Sequence, residues 1–167
     1  AAMANMWMTQ VLEDQDMLMA RCRLILNDFG DQLAVNRDNL AAIGFCFGGK
    51  VVLDMAREGM PLKAVATFHG NPSAKQPADK NFKAKVLVAH GRDDSMVSME
   101  AIEGLKSELD AADVDYTIDV YDNAKHGFTN PHADERAAKN GVDLGYNEAA
   151  AKQSWENMLE FMKSNLA

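Results

Sequence analysis

Gly44-Phe45-Cys46-Phe47-Gly48-Gly49 follows the apolar run Leu40-Ala41-Ala42-Ile43 and precedes Lys50 to Arg57, where Val52, Met55 and Ala56 recur at helical spacing. An unbroken apolar run reads as a buried parallel strand. The hexapeptide therefore lies where a strand turns abruptly into a helix. Glycines two residues before and two after Cys46 let the strand and helix pack closely around the turn, leaving Cys46 strained and pointing out of the sheet's carboxyl end. This is the nucleophile-elbow pattern G-x-S-x-G with cysteine in place of serine. The helix aims its free N–H groups and positive dipole end at the sulfur, which favours thiolate. The backbone N–H of Phe47 is a candidate oxyanion-hole donor. The same glycine-flanked cysteine also suits a packed turn without chemistry, and the pattern alone leaves both readings open.

Outward from the elbow, short β-branched runs alternate with helical patterns, the signature of βαβ units and a parallel sheet. The sequence predicts strands over 40–45, 64–69, 85–90 and 116–121, the last nearer an edge because polar residues interrupt it. It predicts helices over 16–29, with Leu18, Cys22, Ile25 and Phe29 on one stripe, and over 48–57. A further helix is marked by Met99, Ile102, Leu105 and Leu109. The last runs over 146–166, with Ala151, Trp155, Met158 and Met162 inward. Residues 73–83 read as a surface loop. Residues 123–145 read as irregular, and a connection that long is expected to be functional. Most of the eleven methionines fall on helical stripes and read as core filler.

Composition narrows the function. The chain has 167 residues, 17 Lys+Arg against 25 Asp+Glu, and a net charge of −8. That is the size of one ordinary domain. The acidic balance argues against nucleic acid or an anionic membrane as partner. No apolar run approaches the ~18 residues of a membrane helix. The start lacks the basic flank of a signal peptide, and two cysteines do not make a disulfide framework. A reducing cytoplasm is the expected compartment.

Two further elements bear on Cys46. Gly91-Arg92-Asp93-Asp94-Ser95-Met96-Val97 follows the third strand, and Lys125-His126-Gly127-Phe128 follows the fourth. Both lie beyond carboxyl ends of strands, where open α/β sheets place ligands. The chain order nucleophile, acid, histidine is that of α/β hydrolases. Asp94 would fix the tautomer of His126, and His126 would take the thiol proton from Cys46. Each acid alone also suits a solvated turn, and His126 alone a loop. All three at successive strand ends favour a triad.

On these residues the chain resembles the dienelactone hydrolase family. The likeness is carried by Ile43-Gly44-Phe45-Cys46-Phe47-Gly48-Gly49, by His90 to Val97, and by Lys125-His126-Gly127-Phe128-Thr129-Asn130-Pro131. It extends through Tyr146-Asn147-Glu148-Ala149-Ala150 to Ser154-Trp155. The resemblance implies a three-layer α/β-hydrolase fold, here partial, with about four parallel strands and flanking helices in a single domain over 1–167. It implies a Cys46-Asp94-His126 triad acting without a cofactor on a small ester or lactone, with Asp94 rather than Asp93 as the acid. Phe45, His69, Met96 and Phe128 are candidate pocket residues.

The other candidates are weaker. His69 and His90 end strands on the active edge and more often such residues are satisfied core histidines. A zinc site of His69, His90 and His126 lacks any H-x-H or H-E-x-x-H spacing. His132 has no evident role, and Cys22 reads as a small core residue. Upstream of Cys46 the sequence predicts one helix and one strand. Completing the fold's earlier strands would take on the order of 60 residues, and the second oxyanion donor normally comes from there. The expectation is therefore an N-terminally truncated portion whose strand over 40–45 has an open apolar edge, so that the chain pairs with a missing segment or with another copy. Two rival classes stay open: a non-catalytic α/β module or inactive piece that keeps the elbow, and a thiol redox sensor, which lacks a C-x-x-C motif.

Overall fold

The computed structural model describes residues 2–32 and 35–167. Four apolar runs form one parallel sheet, β1 (Ala41–Phe45), β2 (Ala64–Phe68), β3 (Lys85–Gly91) and β4 (Tyr116–Tyr121), in that spatial order. The helices are α1 (Ala2–Glu13), α2 (Gln15–Gln32), α3 (Phe47–Arg57), α4 (Met99–Ala111), α5 (Ala133–Asn140) and α6 (Glu148–Leu166). Side chains alternate across the strands and build two cores. Val65, Val86 and Val88 face α2, α3 and α4, where Met19, Leu53, Ile102 and Leu109 fill one core. Ala66, Phe68, Leu87 and Ala89 face α6, where Phe128, Met158 and Met162 fill the other. The α/β/α layering expected from the sequence is thus present. Every residue of β2 is buried, as a strand covered on both faces must be.

Parallel register sets the functional edge. Phe45 pairs with Phe68, Phe68 with Ala89, and His90 with Val120, so the four carboxyl ends lie side by side. β1 and β4 are the outer strands. On β1, Ile43 and Phe45 are 42% and 41% exposed. That is the open apolar edge expected of residues 40–45.

Several expectations change. A second helix, α1, precedes the predicted one, with a break at Asp14, whose carboxylate accepts the Met17 N–H. On α2 the inward residue is Met19, with Leu18, Cys22 and Leu26 beside it, while Ile25 is exposed. The side chain of Phe29 lies outside the described residues. On α6 the buried face is Ala150, Ser154, Met158 and Met162, and Trp155 is exposed. Ser154, small and bonded to the Ala151 carbonyl, lets the helix sit close to the sheet where Trp155 would not fit. The connection over 123–145 contains α5, stopped by Gly141 in the left-handed region. The methionines divide: Met19, Met55, Met60, Met158 and Met162 are buried, whereas Met3, Met6, Met8, Met17 and Met96 are exposed.

A buried charge network fixes the loop beside the elbow. Asp54 on α3 takes Lys50 at 2.9 Å and Arg57 at 3.0 Å, and Arg57 also pairs with Glu108 of α4 at 2.8 Å. Lys50 and Arg57 donate onward to the carbonyls of Ser73 and Pro72. Removing one member would leave buried charge unpaired, at a cost of about 3–5 kcal/mol.

The elbow itself is packed differently from the expected symmetric pattern. A methyl group on Gly44 would lie 2.1 Å from the Gly48 carbonyl oxygen, and one on Gly49 would lie 2.9 Å from Gly70 Cα. One on Gly48 would meet nothing within 4 Å. Close approach thus rests on Gly44 and Gly49, not on Gly48. Gly44→Ala is predicted to lose about 1–3 kcal/mol in urea unfolding, whereas Gly48→Ala, within a helix, changes stability by less than about 1 kcal/mol in either direction.

Candidate active site

Cys46 sits between β1 and α3 at φ 53, ψ −118, a conformation that side chains rarely adopt. Backbone bonds hold it there: its N–H donates to the Phe68 carbonyl, and its carbonyl accepts from Gly49 and Lys50. The turn leaves Cys46 exposed at the sheet edge. The acid loop after β3 folds back so that Asp94 Oδ1 accepts from the N–H groups of Met96 and Val97, at 2.9 and 3.0 Å. Its other oxygen, Oδ2, lies 2.9 Å from His126 Nδ1. His126 Nε2 lies 3.1 Å from Cys46 Sγ. The structure thus joins the three predicted residues in one hydrogen-bonded chain, with Asp94 and His126 buried.

Electrostatics follow from that chain. The hydrogen bond from His126 draws the Cys46 thiol below its ordinary range; burial opposes this, and the Phe47 N–H adds to it. Burial works against the charged form of His126, but its bonds to Asp94 and Cys46 prevail and push it up to about 9. Burial likewise works against ionising Asp94, yet His126 and the two loop N–H groups hold its carboxyl below the usual range. A thiolate beside an imidazolium is the favoured pairing.

His69 follows β2 at φ 41 and is buried. Its Nε2 lies 3.1 Å from Thr129 Oγ1, and its ring meets that of His126 edge-on at 4.9 Å. Burial and the neighbouring His126 charge push it down to about 4, so it stays neutral beside the charged histidine. His90 is buried, and that burial holds its ring below the ordinary imidazole range. His132 precedes α5 on the surface, near Glu135. Among the described residues no group of His, Cys, Asp and Glu is arranged to hold a metal ion, and no helix is long and apolar enough to cross a membrane.

Two cavities meet at the sulfur. One, of about 510 Å³, is lined by Phe45, Cys46, His69 and His126 with Thr129, Arg136 and Leu144. The other, of about 280 Å³, is lined by Cys46, Phe47, His126 and Met96 with Met8 and Leu12 of α1. Of the predicted pocket residues, Phe45, His69 and Met96 thus border a cavity. Phe128 borders neither: it is fully buried, packing on His69 and Tyr121 at 5.5 Å, and supports the histidine loop from below. Sequence reasoning missed α1 as a wall of the site. It also missed Asp143, which takes Ser95 of the acid loop and Lys125 of the histidine loop at 2.8 and 2.7 Å.

A cysteine elbow with an acid and a histidine at later strand ends of a parallel sheet defines an α/β hydrolase. The family model "Dienelactone hydrolase family" matches residues 2–166, and the chain belongs to that family. An uncharacterized protein of Caenorhabditis elegans is 33% identical over 153 residues, covering 90% of this chain and 95% of that protein. A Salmonella typhimurium protein named "Putative carboxymethylenebutenolidase" is 34% identical over 131 residues, covering 73% of this chain and 45% of that protein. The crystal structure of a dienelactone hydrolase-like promiscuous phosphotriesterase from metagenomic libraries matches with a TM-score of 0.89 at 32% identity, covering 100% of this chain and 69% of that one. The chain therefore spans about half the length of the Salmonella relative and about two thirds of the phosphotriesterase.

Cys46 is drawn below its ordinary thiol range and His126 is pushed up to about 9, and both shifts favour the charged forms at neutral pH. Alkylation of Cys46 by iodoacetamide at pH 6.5 is predicted to be slower in His126→Gln, which removes the hydrogen bond that draws the thiol down. Intact-mass kinetics read this directly.

Proposed function

We propose that the chain hydrolyses a small ester or lactone through Cys46, with His126 as acid and base and Asp94 as its orienting partner. The observation that supports this most is the 3.1 Å approach of Cys46 Sγ to His126 Nε2 at the end of a chain anchored by Asp94. The thiolate attacks the ester carbonyl and a C–S bond forms. The developing oxyanion lies toward the Phe47 N–H, the first free donor of α3. As the tetrahedral intermediate collapses, the C–O bond breaks, and the leaving oxygen takes the proton from His126 Nε2. Neutral His126 then removes a proton from water as it attacks the thioester, the acid departs, and the thiolate–imidazolium pair is restored. Asp94 keeps Nδ1–H oriented and steadies the imidazolium throughout.

Neutrality of His69 suits this cycle. A second positive charge at 4.9 Å from His126 would oppose the imidazolium that protonates the leaving group. The triad and one oxyanion donor, the Phe47 N–H, belong to this chain, and the reading uses no cofactor.

Cys46→Ala is expected to abolish p-nitrophenyl acetate hydrolysis, by at least about a thousandfold, while the circular dichroism spectrum stays that of the wild type. Unchanged turnover would refute the reading. For an alkyl ester, whose alkoxide needs a proton to depart, the kcat/KM profile is expected to be bell-shaped. Activity falls in acid as the thiolate is protonated, and falls as pH rises through about 9, where His126 loses the proton that the leaving group needs.

A further inference from the structure

Cys46 holds ψ at −118. An L-configured Cα sets Cβ about 120° from the backbone nitrogen around the Cα–C bond. That ψ therefore eclipses the next nitrogen, that of Phe47, with the Cys46 Cβ. The ψ of an ordinary helix or strand turns the two away from each other. Cβ, Cα, the carbonyl carbon, the Phe47 nitrogen and Sγ thus trace a five-membered ring that lacks only its S–N bond. The Phe47 N–H, at the start of α3, hydrogen-bonds to the sulfur across that gap.

The sulfur is also open to a small oxidant. Cys46 is exposed, and cavities of about 510 and 280 Å³ meet at it. Each is far larger than the roughly 30 Å³ that a water takes. His126 Nε2, 3.1 Å from Sγ, can give its proton to a departing hydroxide. The other cysteine of the chain, Cys22, lies on α2 against the core that α2 shares with α3 and α4. Burial pushes its thiol up, which opposes its acting as a resolving thiolate.

We propose that Cys46 is a peroxide-modification site that closes on its own chain as a cyclic sulfenamide with the Phe47 nitrogen. The thiolate attacks one oxygen of hydrogen peroxide, an S–O bond forms and the O–O bond breaks. The departing hydroxide takes the His126 proton and leaves as water. Sulfur is oxidised by two electrons and the peroxide is reduced. The Phe47 nitrogen then bonds to sulfur, the S–O bond breaks, and the hydroxide leaves with the amide proton as a second water. A thiol reopens the ring by attacking sulfur, and the proton returns to nitrogen. A second thiol then frees Cys46 and carries away the disulfide. The ring ties up the sulfur and the Phe47 N–H together. It therefore stops ester attack until a thiol reopens it, and it keeps the sulfur from the irreversible sulfinic acid.

The test treats the wild type and Cys22→Ala with hydrogen peroxide, stops the reaction with catalase and blocks remaining thiols with iodoacetamide. Intact mass and the tryptic peptide over 38–50 are read before and after dithiothreitol. That peptide carries both Cys46 and Phe47 and no methionine, so a change in its mass belongs to Cys46. The expected product is lighter than the reduced peptide by two hydrogens and does not react with iodoacetamide. It forms in Cys22→Ala as in the wild type, and dithiothreitol returns the starting mass. Where Cys22→Ala fails to fold, the wild-type peptide decides alone, because a disulfide would link two peptides. A disulfide to Cys22 or to a second copy would overturn the proposal. So would a lasting sulfenic, sulfinic or sulfonic acid on Cys46, or no change there. The mass readout needs no ester turnover, so this product in a chain without esterase activity upholds the modification site and removes the hydrolase reading alone.

Discussion

The site depends on the backbone of Cys46 being held at φ 53. A side chain in that region costs on the order of 1–3 kcal/mol unless its surroundings over-determine it. Here three backbone hydrogen bonds do so: one continues the pairing with β2 past the end of β1, and two begin α3. Gly44 allows the strand to pass against the Gly48 carbonyl, and Gly49 allows α3 to close on Gly70. Given this turn, the parallel register does the rest. It sets the ends of β1, β2, β3 and β4 side by side, so the loops carrying Asp94 and His126 reach the sulfur without long excursions.

Around the sulfur, Asp94, His126 and Cys46 form one hydrogen-bonded sequence in which each partner favours the charged form of the next, with His69 held neutral beside it. His69 supplies an uncharged ring against His126 and ties the Thr129 segment to the end of β2. Asp143 bonds to both Ser95 and Lys125, joining the acid and histidine loops at the surface. The Lys50–Asp54–Arg57–Glu108 network holds the segment around Ser73 from beneath. These three devices limit how far the loops can drift, and a nucleophile 3.1 Å from its base is sensitive to drift well below an ångström.

Local patterns made the strands and the elbow legible. The runs before Cys46 and His90 are apolar without interruption and the one before His69 is broken only by Thr67, and a glycine-bounded cysteine after such a run has few uses. The candidate triad was legible for the same reason, because each member lies just beyond the carboxyl end of a strand. What escaped the sequence depends on distance or on size. α5 buries only Ala133 among its residues, so no apolar period announces it. The inward face of α6 was assigned through Trp155, the largest apolar residue, whereas the close contact with the sheet selects Ser154. Phe128 seemed a pocket residue from its place beside His126, but Gly127 at φ 73 turns the chain and sends the ring into the core. The wall that α1 adds to the site has no local signature, because residues 2–13 show no clear alternation of polar and apolar faces.

In the proposed reaction Cys46 becomes covalently acylated during turnover. Rapid acid quenching of the chain mixed with p-nitrophenyl acetate, followed by peptide mapping, tests it most directly. The expected product is one acetyl group in thioester linkage on the peptide carrying Cys46, formed during a burst of nitrophenolate and lost as the ester is consumed. Nitrophenolate released at the steady rate with no acetyl on Cys46, or with the acetyl on another residue, would contradict it.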